Sequence, residues 1–122
     1  MKRVIKSGEG WRIGWNPEAE NYQGLVAGEN WAIELTETEL RDFSYLLEQL
    51  SQTIIKISEE LMAEETITCE VESELLWMEV EGYPHAYSLR FILNRGRRCE
   101  GSWPENVIQD LLVATSNLSV FN

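Results

Sequence analysis

Two groups of basic residues, each interleaved with tryptophan, are the part of this sequence best suited to chemistry. Lys2, Arg3, Lys6 and Arg12 lie near the start with Trp11 and Trp15; Arg90, Arg95, Arg97 and Arg98 lie near the end with Trp103. Guanidinium and ammonium groups neutralise phosphate, and indole faces stack on bases, so this mixture suits a binder of single-stranded nucleic acid. Trp11, Arg12, Trp15, Arg90, Arg95, Arg97 and Arg98 are therefore the candidate nucleic-acid or partner-binding residues. The plainer alternative is that the tryptophans are core and the arginines solubilising charge.

The balance of charge weighs against the first reading. Twenty-one acidic residues face ten basic ones, for a net charge of −11. Non-specific affinity for nucleic acid is mostly phosphate electrostatics, and a field of this sign repels phosphate. It favours solubility or a basic protein partner instead. An unknown protein is the expected partner, with single-stranded nucleic acid as the alternative that net charge disfavours.

Catalytic residues are not expected. His85 is the single histidine, and after Pro84 it reads as turn decoration. No serine sits in a nucleophile elbow, and Asp42 and Asp110 fall on predicted helices, where neither supports a triad. Glu70, Glu72, Glu74, Glu79 and Glu81 could pair as acid and base across strands. Their alternation with Cys69, Val71, Met78 and Val80 puts them on a solvated face. No calcium loop occurs, and Gly8, Gly10 and Gly14 fit no phosphate-binding pattern, so neither metal nor cofactor is expected. Cys69 and Cys99 match no metal or redox spacing and read as free thiols in strands.

The elements that position these residues follow from periodicity. A chain of 122 residues suits one domain, 1–122. It shows no apolar run long enough for a membrane span and no apolar leader, so a cytoplasmic location is expected. Thr36 and Glu39 form a capping box, followed by an apolar stripe at Leu40, Phe43, Leu47, Leu50, Ile54, Ile57 and Leu61. The spacing predicts a helix over 37–63, about 40 Å long. Its stripe suits either the chain's own sheet or a partner helix, which leaves monomer or homodimer open. Ser102, Pro104 and Glu105 predict a second capped helix over 103–117.

Period-two alternation predicts strands before each helix. In the first half these are Val4–Ile5, Trp11–Trp15, Gln23–Ala27 and Trp31–Leu35. In the second they are Ile67–Glu72, Leu76–Glu81, Tyr87–Leu93 and Arg97–Gly101. The order is four strands and a helix, twice: an α+β fold with tandem β4α units as pseudo-repeats 1–63 and 66–122. At an offset of 66 residues Trp11 falls on Trp77, Glu39 on Glu105 and Thr36 on Ser102, so the two helix caps coincide.

A tandem β4α chain resembles the single-stranded-DNA-binding transcriptional regulator fold. Its users include plant Whirly regulators and the coactivator positive cofactor four, which builds its site from two β4α chains. The opening K-x-G-x-GWRIGW (from Lys6) and the segment ENWAIELTETEL at 29–40 resemble a cyanobacterial family of uncharacterised proteins, domain of unknown function 1818. That resemblance implies a fold and no activity, so it carries no site residue with it. The reading that remains is a non-enzymatic binding or regulatory module.

Overall fold

The computed structural model describes residues 3–94 and 96–118. Strands β1 (Val4–Gly8), β2 (Trp11–Trp15), β3 (Gly24–Ala27) and β4 (Ala32–Leu35) lead into helix α1 (Glu37–Ser58). Strands β5 (Ile67–Glu72), β6 (Leu76–Tyr83), β7 (Ala86–Leu93) and β8 (Glu100–Trp103) lead into helix α2 (Ile108–Ser116). Each set of four forms its own antiparallel sheet in chain order. Consecutive strands pair throughout, and two-residue turns join β1 to β2 and β6 to β7. Gly10 takes a φ of 83° at the β1–β2 turn, a left-handed value that glycine adopts without a Cβ clash. The architecture is the α+β, ββββα-twice arrangement that the element order predicts.

Helix α1 begins where its cap predicts. The Thr36 hydroxyl accepts from the Glu39 N–H at 3.2 Å, and the Glu39 carboxylate accepts from the Thr36 N–H at 2.8 Å. Its stripe, Leu40, Phe43, Leu46, Leu47, Leu50 and Ile54, is buried inside this chain, against β3, β5 and β6. The heptad spacing is therefore spent on the chain's own sheets and is not a seam for another helix. The helix stops at Ser58 rather than 63. Glu59, Glu60, Glu64 and Glu65 crowd the negative end of the helix dipole, and the Glu60 N–H closes a turn on the Ile57 carbonyl. Leu61 still packs on the core from beyond the helix end.

Helix α2 departs further from expectation. It starts at Ile108 with Val107 as a cap that makes no side-chain hydrogen bond, so the Ser102–Glu105 capping box does not form. Ser102 and Trp103 instead belong to β8, opposite Arg90 and Leu89. The coincidence of Thr36 with Ser102 is thus one of sequence alone. The last strand also shifts, from 97–101 to Glu100–Trp103. Arg98 takes a left-handed φ of 51°, which ends strand geometry there, and Arg97 turns away to a partner described below. Gln23 and Trp31 fall just outside β3 and β4. Cys69 lies in β5, but Cys99 precedes β8, its thiol donating to the Arg97 carbonyl. Both cysteines are free.

One apolar cluster draws on both sheets and both helices. Beside it the halves exchange tryptophan hydrogen bonds. The Trp31 indole N–H donates to the Ser102 carbonyl at 3.2 Å, and the Trp103 indole N–H donates to the Ala27 carbonyl at 2.9 Å. The two rings sit 4.9 Å apart, tilted by 58°, within the contact range of aromatic pairs. Phe91 stacks on Trp103 and Phe43 meets both. A Cβ at Gly101 would collide with the Trp31 ring, so glycine there is what lets the first half approach β8.

Candidate functional site

The candidate residues divide by the element that carries each. Trp15 ends β2 facing inward; it is 5% exposed and offers no stacking face. Trp11 is half-buried and packs against the core. The indole N–H groups of both are shielded from water with no partner among the described residues. Arg12 alternates outward from Ile13 and is exposed. Arg95 lies outside the described residues, as does Lys2. Arg98 is exposed in the β7–β8 connection. Neither Arg12 nor Arg98 makes an ion pair among the described residues.

Arg97 is committed to the fold. Its guanidinium donates from Nη1 to Glu39 Oε1 at 2.7 Å and from Nη2 to the Glu34 carbonyl, and it lies 4.6 Å over the Tyr22 ring. The same Glu39 oxygen closes the α1 capping box. One carboxylate oxygen thus ties the α1 N-terminus to the β7–β8 connection. The side chains are 25% and 10% exposed, so water screens the pair poorly. Replacing Arg97 with alanine leaves a largely buried carboxylate without its cation. Urea unfolding should report a loss of about 1.5–3 kcal/mol, the range for a hydrogen bond to a charged group, with lysine recovering part of it.

Arg90 is likewise occupied. It sits mid-β7 on the outward face of the second sheet, 3.3 Å from Glu79 and 3.8 Å from Glu100, and 4.9 Å over the Trp77 ring. The strand registers set this face out in three rows: Thr68–Glu81–Ser88, Glu70–Glu79–Arg90–Ser102, and Glu72–Trp77–Ile92–Glu100. Glu70 and Glu79 stand directly opposite, a destabilising pair of like charges. Each is drawn off to its own donor, Glu70 to the Trp77 indole at 3.0 Å and Glu79 to Arg90. Glu72 and Glu81 point outward with no side-chain partner among the described residues. Among the described residues the face is a carboxylate surface with one cation held inside it.

Sequence reasoning named the arginines but missed their partners. Trp77 was legible as an outward residue, because it alternates with Met78. Tyr22, Glu34 and Glu39 carry no local signal that they meet Arg97. Burial raises the Tyr87 phenol above its ordinary pKa, which keeps it neutral. His85 stacks on Tyr83 in the β6–β7 turn, ring centroids 5.8 Å apart. Among the described residues no three metal-ligating side chains gather, and no helix is long and apolar enough to cross a membrane.

Comparison with known proteins agrees on architecture. A family model described as a domain of unknown function, DUF1818, matches residues 6–118. The crystal structure of a protein of unknown function from Prochlorococcus sp. NATL2A, assigned there to a DUF155 family, is similar. It is 30% identical with a TM-score of 0.90, over 98% of this chain and 99% of that one. No curated protein matches the chain.

Proposed function

The chain belongs to the DUF1818 family, a domain of unknown function, and we propose that it is a non-enzymatic binding module that docks a basic protein segment. The observation that carries this reading is the outward face of β5–β8. Glu70, Glu72, Glu79, Glu81 and Glu100 share it, and Arg90, its one cation among the described residues, is held between two of them. A Lys- or Arg-bearing partner surface complements such a field and is steered to it. The arrangement does not favour strands of nucleic acid. Of the residues a strand would need, Arg90 and Arg97 are spent on carboxylates and Trp15 is buried.

Likeness to the Whirly-type fold is part of the same proposal and rests on the order of elements. One chain with two β4α units would stand where the coactivator uses two chains. A cyanobacterial origin and a cytoplasmic setting belong to it too; two free cysteines suit a reducing compartment.

Fluorescence anisotropy at low ionic strength tests the reading with two probes, a labelled Lys/Arg-rich peptide and a labelled mixed-sequence single-stranded oligonucleotide. The peptide should bind and weaken as salt screens the face. The double change Glu72→Lys and Glu81→Lys should weaken it about tenfold, equivalent to about 1.4 kcal/mol, without moving the thermal melt. The oligonucleotide should not saturate. Saturable oligonucleotide binding that persists at physiological salt with a Kd tighter than about 1 μM, beyond ordinary non-specific affinity there, would overturn the proposal.

A further inference from the structure

Strand β5 closes one side of the second sheet and pairs only with β6. In an antiparallel pair alternate residues direct both backbone groups at the neighbour, and the residues between them direct theirs away. Every second residue of β5 thus turns its N–H and C=O outward, and among the described residues no other backbone segment meets them. At six residues β5 is the longest of the four edge strands. The β8 edge is engaged by the first half, because Trp31, next to β4, donates to the Ser102 carbonyl. The undescribed residues adjoin β1, the β7–β8 connection and α2, none of which pairs with β5.

Exposed edges are ordinarily blunted by lysine, proline or a bulge. The β5 sequence has no lysine or proline, and its six residues pair one to one with β6, from Ile67 with Gly82 to Glu72 with Trp77. Its guard is Glu70 and Glu72, both exposed on the outward face. The core side of the strand is unfinished. Cys69 and Val71 are only partly buried, whereas Val80 and Met78, opposite them on β6, are 1% and 0% exposed.

We propose that an extended segment of a basic partner protein pairs with β5 as a fifth strand. Lys or Arg at every second position would lie beside Glu70 and Glu72, and apolar residues between them beside Cys69 and Val71. This inference rests on the reading of the acidic face as a dock for a basic segment, and adds the edge and the sequence pattern that such a segment needs. In strand addition the main chain supplies affinity and alternate side chains supply selectivity. Side chains directly opposite on paired strands stand about 5 Å apart, within reach of an ion pair for a long cationic chain. Glu70 commits one carboxylate oxygen to the Trp77 indole, and Glu72 has no side-chain partner among the described residues. A second copy of this chain fits poorly, since β5 paired antiparallel with β5 would gather the glutamates of both copies on one face, where like charges destabilise.

Fluorescence anisotropy at low ionic strength tests the proposal on the natural chain. The probe is a labelled peptide of about eight residues, an ordinary strand length, that alternates lysine and valine. It should bind saturably. Methylating its amide nitrogens removes main-chain donors and keeps every charge. Methylation along both edges of the peptide should weaken binding at least about tenfold, equivalent to about 1.4 kcal/mol. Methylation along a single edge should leave one of the two resulting peptides within about twofold of the parent, because an added strand pairs on one side only. An isomer with its lysines grouped at one end should also bind about tenfold more weakly. In the complex, amide hydrogen exchange should slow within β5 and stay unchanged in β8. Equal binding of the parent and the fully methylated peptide overturns the edge pairing and leaves the acidic-face reading standing. Unchanged exchange within β5 does the same. If no lysine peptide binds, both fall.

Discussion

Replacing Trp103 with alanine should destabilise the protein by about 3–5 kcal/mol, the range for emptying a large aromatic site. Trp103 is 1% exposed and meets Trp31, Phe43 and Phe91 at once. Its indole N–H also satisfies the Ala27 carbonyl of the other half. The loss therefore combines a cavity, three aromatic contacts and an orphaned acceptor. Against a typical domain stability of about 5–15 kcal/mol, such a loss is a large fraction of the total. Trp103→Phe separates the contributions: it keeps a ring and removes the donor, so it should cost about 1–3 kcal/mol. Urea unfolding followed by tryptophan fluorescence and circular dichroism measures both. A midpoint unchanged by Trp103→Ala would show that the two sheets do not depend on this contact.

Leu50→Ala should cost about 2–5 kcal/mol, the span for truncating a buried aliphatic side chain. Leu50 is 1% exposed at the middle of the α1 stripe, where the helix lies against both sheets. Rigid neighbours on several sides limit collapse into the vacancy. Tyr45→Ala on the outward side of the same helix is the control. Tyr45 is 68% exposed, so the change should stay within about 0.5 kcal/mol, as for a surface change. Equal effects at the two positions would show that the stripe and the outward face are not distinguished by burial.

The basic cluster illustrates how a composition-level signal is redirected by neighbours. Arg97 meets Glu39 from 58 residues away, and Arg90 meets Glu79 from eleven. A guanidinium beside a free phosphate-binding surface and one locked to a carboxylate read the same along the chain. Only their surroundings differ. The acidic face was more legible, because period-two alternation assigns Glu70, Glu72, Glu79 and Glu81 to one side of their strands without reference to anything distant.

Elements whose cause is local were determined by the sequence alone. Strands β6 and β7 of the second sheet follow from the alternation of Leu76, Met78 and Val80, and of Tyr87, Leu89, Phe91 and Leu93, each of which the structure buries. The start of α1 follows from hydrogen bonds that Thr36 and Glu39 exchange three residues apart. The same local motif at Ser102 and Glu105 failed, because there tertiary structure offered more. A helix cap contributes about 1 kcal/mol, while burying an indole the size of Trp103 contributes about 3–5 kcal/mol when measured by its removal. Extending β8 through Trp103 places that ring in the core and its N–H on Ala27, 76 residues away, so the strand wins and the helix starts late. The partner that decides between the two states lies in the other half of the chain, where no window around residue 102 can see it.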